Sequence, residues 1–299
     1  MDLILRGKKP ELDMPYFGRQ SRFFDFFYKI VSELCPSGSV YAETNSGSVS
    51  NAYMFAKFGY RVIVNDISPY SEAIAKSVFK NINDDNYSSN KKNQPLWIKK
   101  TTSSPLDRAA FFASLIERNG YSNIIVPKSF NVIAPQFKKY RKRLLKLKNK
   151  NIEAYLMFRM DLFDYLNFLL RNNIKTDIMF MDFAWPWRSG RKTEEYDITA
   201  NIFSNILNEK NNKIKIWDKN NVINNVLKAV RLARKVSKFV LLSNQSSNYP
   251  DPETLELALI DAGLMYEKRH TMTTRALEED NLRKDKYFRE YLYVIKGKQ

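Results

Sequence analysis

Cysteine and histidine are nearly missing from this chain: Cys35 and His270 are the only ones in 299 residues. One thiol excludes an intramolecular disulfide and any cysteine-rich zinc site, and one histidine leaves little for a histidine-dependent triad or a nitrogen-ligated metal. No metal site is expected. Acids are also short, with 32 Asp+Glu against 49 Lys+Arg, a net charge of +17 and a pI near 9.7. An excess of that size says little about fold and points to polyanionic partners. Glycine is sparse, at 9 residues. No apolar run approaches the length of a membrane span, and Met1–Arg6 lacks the long apolar core of a signal peptide. A cytoplasmic protein with no membrane partner is therefore expected.

What the chain does have is a hydrophobic content of 44%, enough for a sizeable core. Its most informative stretch is Thr176-Asp-Ile-Met-Phe-Met-Asp-Phe-Ala-Trp-Pro-Trp187. The apolar run Ile178–Met181 is short for a helix and reads as a strand at the centre of a parallel sheet. In open α/β sheets ligands sit beyond the carboxyl ends of the strands, where Asp182 and Trp185 would fall. A carboxylate there can accept a proton or hydrogen bond, and an indole offers a flat face to a planar substrate. The plainer alternative is a helix-capping aspartate and a core tryptophan.

A second organised region lies upstream. An amphipathic helix is predicted over Phe23–Leu34, broken by Pro36 and Gly38. A short strand at Ser39–Ala42 leads into Glu43-Thr-Asn-Ser-Gly-Ser-Val49, a helix through Ala52–Phe58 closed by Gly59, and a buried strand, Arg61–Asp66. Strand, small-residue turn, helix, strand and terminal acid is the layout of a nucleoside-cofactor half-site. A turn of small residues lets backbone and a helix N-terminus approach a ligand, and Asp66 is placed to take ribose hydroxyls. With only Gly47 where dinucleotide sites carry three glycines, a ligand without phosphates, such as S-adenosylmethionine, fits better than a pyrophosphate cofactor.

Composition shifts after residue 82. Residues 83–94 are polar and irregular, and no strand–helix alternation is evident before 150. The end of this stretch, Gln136-Phe-Lys-Lys-Tyr-Arg-Lys-Arg-Leu-Leu-Lys-Leu-Lys-Asn-Lys150, holds no acid. Leu144, Leu145 and Leu147 are expected to anchor a helix whose other side faces phosphates, with Phe137 and Tyr140 interleaved among the cations as nucleic-acid proteins often have them. Alternation then resumes: strand Ala154–Arg159, helix Phe163–Leu170, the Ile178–Asp182 strand, a charged loop over Arg188–Asp197, helix Val222–Val236, strand Phe239–Leu242, helix Pro252–Ala262, and two closing strands near Leu264–Lys268 and Tyr291–Ile295. The organisation expected is a core in two parts, 1–82 and 151–299, with a basic insertion at 83–150.

In order along the chain these segments resemble the Dam-like adenine-specific DNA methyltransferases, which use S-adenosylmethionine. Tyr16-Phe-Gly-Arg-Gln-Ser-Arg22 resembles the family's N-terminal segment beside the methionine part of the cofactor, which implies roles for Tyr16 and Gly18. Asn45-Ser-Gly-Ser48 and Phe58-Gly-Tyr-Arg-Val-Ile-Val-Asn-Asp-Ile-Ser68 are similar to its cofactor loop and ribose-binding acid, implying Glu43, Asn45, Gly47, Asp66 and Ile67 as cofactor contacts. Asp161 sits where the family has an acid near the adenine moiety. Ser129-Phe-Asn-Val132 and the basic run after it resemble the DNA-recognition segment, implying DNA contacts from Asn131, Lys138, Lys139, Arg141 and Arg143, joined by Arg188 and Arg191. Asp182-Phe-Ala-Trp185 falls on the Asp-Pro-Pro-Tyr catalytic motif, with Phe183 and Ala184 where the family has prolines. Val240-Leu-Leu-Ser-Asn244 and the final Glu-Tyr-Leu-Tyr-Val-Ile are similar to its later strands.

The resemblance implies a class I methyltransferase-like Rossmann fold, α/β, with a mostly parallel seven-stranded sheet, an antiparallel last strand and an inserted DNA-recognition region. It also implies transfer of the S-adenosylmethionine methyl to the exocyclic N6 amine of a flipped adenine in double-stranded DNA. Asp182 and the Phe183 carbonyl would hold the two amine protons, and Trp185 would stack on the base. Serine at the Asp182 position is the family's usual cytosine variant, so aspartate implies adenine. A non-catalytic DNA-binding homologue or partner subunit is one alternative, motivated by the altered cofactor loop; an RNA or protein methyltransferase is another. A cognate restriction endonuclease or a second methyltransferase subunit is a partner open to a protein of this kind.

Overall fold

Five strands of the sheet are parallel neighbours, and their sequences are largely apolar on both faces. β1 (Val40–Glu43) pairs with β2 (Arg61–Asn65) on one side and with β4 (Thr176–Met181) on the other. β2 continues to β3 (Leu156–Phe158), and β4 to β5 (Ser237–Gln245). β6 (Tyr266–Arg275) and β7 (Tyr287–Lys296) form an antiparallel hairpin, and β7 inserts beside β5 antiparallel to it. The resulting order is β3-β2-β1-β4-β5-β7-β6. A seven-stranded sheet in this order, with β7 reversed, is the class I methyltransferase-like Rossmann arrangement, as expected from the sequence. The computed structural model describes residues 11–15, 23–82, 95–120, 124–148, 150, 152–186, 194–207, 217–275 and 287–298.

Strand alternation sends neighbouring side chains to opposite faces. Along β4, Ile178 and Phe180 join one buried cluster, and Met179 and Met181 join the other. The second cluster is closed by α7 (Leu162–Arg171), α9 (Val222–Val236) and α10 (Pro252–Asp261). The first is closed by α1 (Phe24–Leu34), α2 (Ser50–Lys57) and α3 (Pro69–Val78). The bounds of α1, α2, α7, α9 and α10 fall within a few residues of the predicted ones because apolar periodicity and end signals agree, whereas α3 lies in a stretch where no helix was predicted. Gly59 and Gly263 adopt left-handed φ of 86° and 67° just past α2 and α10.

The stretch between β2 and β3 departs from its irregular expectation. It contains α4 (Leu96–Thr101), α5 (Pro105–Asn119), a 3-10 turn at Phe130–Val132, and α6 (Ala134–Lys148). α5 is apolar on nearly every side, so it has no amphipathic signature to read. It is surrounded: Phe111 and Phe112 are fully buried, and the Phe112 ring stacks at 4.0 Å on Phe203 of α8 (Glu194–Leu207) and meets Tyr70 of α3 edge-on. The insertion therefore shares the core of the sheet's first face. Two smaller expectations are corrected. Leu145 is 42% exposed, because its position on α6 faces away from the buried Leu144 and Leu147. Residues 194–197, expected in a loop, form the first turn of α8; Arg188 and Arg191 lie outside the described residues.

If the insertion is part of one core, Phe112→Ala should destabilise the whole chain by roughly 3–5 kcal/mol. Urea unfolding followed by far-ultraviolet circular dichroism checks this; a loss confined to a minor early transition would show a separately folding insertion.

Candidate functional site

The carboxyl ends of β1, β2 and β4 lie side by side, and each delivers an acid. Glu43 ends β1, Asp66 follows β2, and Asp182 follows β4. Glu43 is 2% exposed. Its Oε1 accepts a hydrogen bond from the Tyr41 hydroxyl at 3.0 Å, and Oε2 has no partner among the described residues. Loss of water pushes the Glu43 pKa from 4.5 to about 8. Hydrogen bonds from Tyr41 and Ser46 oppose that rise, and the Asp182 and Asp66 charges add to it. Tyr165 of α7, also fully buried with a hydroxyl lacking a partner among the described residues, has its pKa raised by burial and by the Glu43 charge.

Between Glu43 and α2 the chain makes a loop of small residues held to β2. Ser46 N–H donates to the Asn65 carbonyl at 2.8 Å, and Asn65 N–H donates to the Ser46 hydroxyl at 3.2 Å. Gly47 takes a left-handed φ of 53°, the conformation that favours glycine there. Val49 also takes one, φ 61°, which is uncommon for a β-branched residue and marks local backbone strain immediately before α2. Asp66 fastens the loop from below: its Oδ2 accepts from Gly47 N–H and its Oδ1 from Ser68 N–H, both at 2.8 Å. Ile67 is half-buried, and its carbonyl accepts from the Arg159 guanidinium at 3.3 Å.

The Asp182 turn is tied to the same loop. Asn45 Nδ2 donates to the Asp182 carbonyl at 2.8 Å. Trp185 N–H donates to the Phe183 carbonyl at 2.9 Å, and Tyr249 N–H donates to the Pro186 carbonyl at 2.7 Å. These bonds restrain a turn that carries Phe183 and Ala184 rather than prolines. The expectation that Trp185 offers a flat face to a substrate is corrected. Trp185 is 5% exposed, packed edge-on against Phe183, which in turn lies 4.8 Å from the Trp217 ring. Both side chains belong to the second core cluster, because apolar area this large is most stable out of water. The Trp185 indole N–H lacks a partner among the described residues.

Other predicted positions have structural partners. Asp161 caps α7, accepting from Phe163 N–H at 2.9 Å. Tyr16 and Gly18 lie outside the described residues, but the preceding segment 11–15 is well fixed. Leu12 and Met14 are fully buried, the Leu12 carbonyl accepts from Ser50, and the Pro15 carbonyl accepts from Tyr70. Among the cations assigned to DNA, three bond to the protein: Lys139 to Glu117 at 2.6 Å, Arg141 to Asp107 at 2.6 Å, and Arg143 to the Asp13 carbonyl and carboxylate. Asn131 and Lys138 are exposed. Phe137 and Tyr140, read as interleaved for nucleic acid, are core residues at 9% and 5% exposure.

Sequence reasoning passed over Asn65. Its Nδ2 donates to the Thr44 and Met160 carbonyls at 2.9 and 3.2 Å, and its Oδ1 accepts from Met160 N–H at 3.1 Å. One buried side chain thus joins the loops after β1 and β3 to the end of β2. The only signal for it was its place beside Asp66.

No protein-family model matches the chain, and no curated protein matches it. Among solved structures it is similar to a SAM-dependent methyltransferase from Agrobacterium tumefaciens, at 10% identity and a TM-score of 0.45. That likeness covers 92% of this chain and 61% of the other. A SAM-dependent methyltransferase from Streptococcus mutans gives 10% and 0.42, covering 91% of this chain and 48% of the other. The rRNA methyltransferase aviRa from Streptomyces viridochromogenes gives 11% and 0.42, covering 96% and 89%. The chain spans about half to three-fifths the length of the first two. Likeness at this level adds nothing to what the strand order already defines. Among the described residues no group of His, Cys, Asp and Glu is suited to a metal ion, and no helix is long and apolar enough to cross a membrane.

Two outcomes follow for the site. Folded Glu43 keeps its proton to about pH 8, while the unfolded carboxyl releases it near its ordinary 4.5. The stability this contributes is full below the unfolded value and is lost as pH rises through about 8. Glu43→Gln, neutral throughout, should flatten the decline of melting temperature between about pH 5 and about pH 9; parallel curves for the two proteins would refute the assignment. Asn65→Ala should cost roughly 2–4 kcal/mol in urea unfolding, because it strands buried backbone groups of two loops, and a change below about 1 kcal/mol would contradict that bridging role.

Proposed function

We propose that this chain is an S-adenosylmethionine-dependent methyltransferase whose acceptor is the N6 amine of an adenine flipped from double-stranded DNA. The observation that carries the reading is the junction of the two half-sites, where Asn45 of the small-residue loop hydrogen bonds the backbone of the Asp182 turn. A cofactor loop and an acceptor turn in direct contact are what methyl transfer needs, since its catalysis is mostly positioning. The residues present fit the cofactor. Glu43, whose Oε2 has no partner among the described residues, lies at the end of β1 where the methionine end would sit, and Asp66, just past β2, lies where the ribose would sit. Asn45, Gly47, Ile67 and Asp161 border the same rim, with Tyr16 and Gly18 assigned through the resemblance.

When bound, the cofactor supplies an electrophilic methyl. The protein's part is to hold the weakly nucleophilic amine. The Asp182 carboxylate accepts one N–H, and the Phe183 carbonyl, already accepting from Trp185 N–H, offers its second lone pair to the other. Two acceptors draw the nitrogen toward tetrahedral geometry and stabilise the positive charge it gains. Trp185, in the core, supports this turn through its ring contact with Phe183.

A second reading has its own support. Asp66 is bonded to two backbone N–H groups and is 4% exposed, and Trp185 is buried, an arrangement that also suits a homologue binding DNA without transferring methyl groups. Calorimetric titration with S-adenosylhomocysteine separates the two, since the absence of binding supports the second. In a tritiated-methyl assay on duplex DNA, structured RNA and peptides, label should enter duplex DNA at adenine. Asp182→Ala should lower the rate by at least ~100-fold with folding retained. Undiminished transfer by that variant would rule Asp182 out, and preferential labelling of RNA or peptide would reassign the acceptor.

A further inference from the structure

α6 carries seven cations and no acid in fifteen residues, and the structure divides six of them, with Lys148 exposed at the end of the helix. Phe137, Tyr140, Leu144 and Leu147 form its buried stripe. With about 100° between successive residues, Lys142 points opposite the mean direction of that stripe, and Lys138 and Lys146 fall about 40° to either side of it. All three are exposed and, among the described residues, make no ion pair. Lys139, Arg141 and Arg143 occupy the flanks and are spent on Glu117, Asp107 and Asp13, where they fasten the helix to α5 and to segment 11–15.

We infer that Lys138, Lys142 and Lys146 form a phosphate-tracking face that binds the backbone of a DNA duplex, whereas Lys139, Arg141 and Arg143 hold α6 in place. The choice of partner rests on the acceptor proposed above; the division of the helix does not. Three lysines at i, i+4 and i+8 make one row with roughly 6 Å of rise between members, suited to successive phosphates of one strand. No aromatic side chain is exposed among them, since Phe137 and Tyr140 face the core. Single-strand binders combine cations with exposed aromatics that stack on bases. A row of ammonium groups alone reads phosphates without sequence, which fits a duplex. Neutralising so many phosphates also accounts for cations retained on a helix where mutual repulsion opposes them.

The test is the salt dependence of binding, measured by fluorescence anisotropy with a labelled DNA duplex and no cofactor. Lys138→Gln/Lys142→Gln/Lys146→Gln should reduce the slope of log K against log salt by about 2.7, near 0.9 per phosphate contact, with an unchanged melting temperature. Lys139→Gln/Arg141→Gln should keep the wild-type slope and lower the melting temperature. An unchanged slope in the triple variant, or an equal reduction in the double variant, overturns the inference. So does tighter binding of the corresponding single strand or of duplex RNA. Because no methyl transfer is measured, an inactive but salt-sensitive binder sinks the proposed reaction alone, and an active enzyme with an unaltered slope sinks this face alone.

Discussion

The carboxamide of Asn65 joins two loops that would otherwise end independently. It sits at the last residue of β2, buried, and its hydrogen bonds reach the loops after β1 and β3. Parallel strands bring their carboxyl ends to one rim of the sheet, but strand pairing alone does not fix the chain beyond the last ladder bond. Here that task falls to a small set of side chains. Asn65 holds the loop from below, Asp66 pins Gly47 and Ser68, and Asn45 carries the connection on to the Asp182 turn. Each is buried or half-buried, so each bond is shielded from competition with water.

The same rim gathers negative charge in a chain whose overall charge is strongly positive. The Asp182 and Asp66 charges act on Glu43, and burial raises its pKa so far that it carries its proton at neutral pH. A buried acid of this kind adds nothing to folding at neutral pH; a perturbed acid at the switch point of an α/β sheet marks a place selected for something other than folding. The left-handed Val49 is consistent with this, since strain beside a ligand loop persists only where surrounding bonds over-determine it. Without prolines, the turn at Phe183 and Ala184 depends on Asn45, Tyr249 and the packing of two aromatic rings for its shape. Its rigidity is thus supplied by neighbours instead of by its own backbone.

The basic helix shows how one element serves two ends. Its apolar stripe completes the core between α3 and α5, its flanking cations bind acids of the protein, and its outer row faces solvent. Reading the acid-free run as a single block of partner-binding charge was natural, because sequence distance does not reveal which cations have acids within reach. Arg143 illustrates the point: its partner, Asp13, lies 130 residues away in sequence.

By itself the sequence determined the strands, most helices and their ends, the position of the insertion, and the acids at the strand tips. These follow from local causes: apolar periodicity, small residues at turns, and glycines placed where φ becomes positive. It also determined the class of fold, since strand–helix alternation with a terminal hairpin admits few topologies. Only the tertiary structure decided the rest. That Trp185 and Tyr140 are core residues, that α5 is the buried centre of the insertion, and that Asn65 bridges two loops all depend on which surfaces meet. An aromatic beside a charge reads alike whether it faces solvent or core. The difference is made by burial, and burial is a property of the assembled chain.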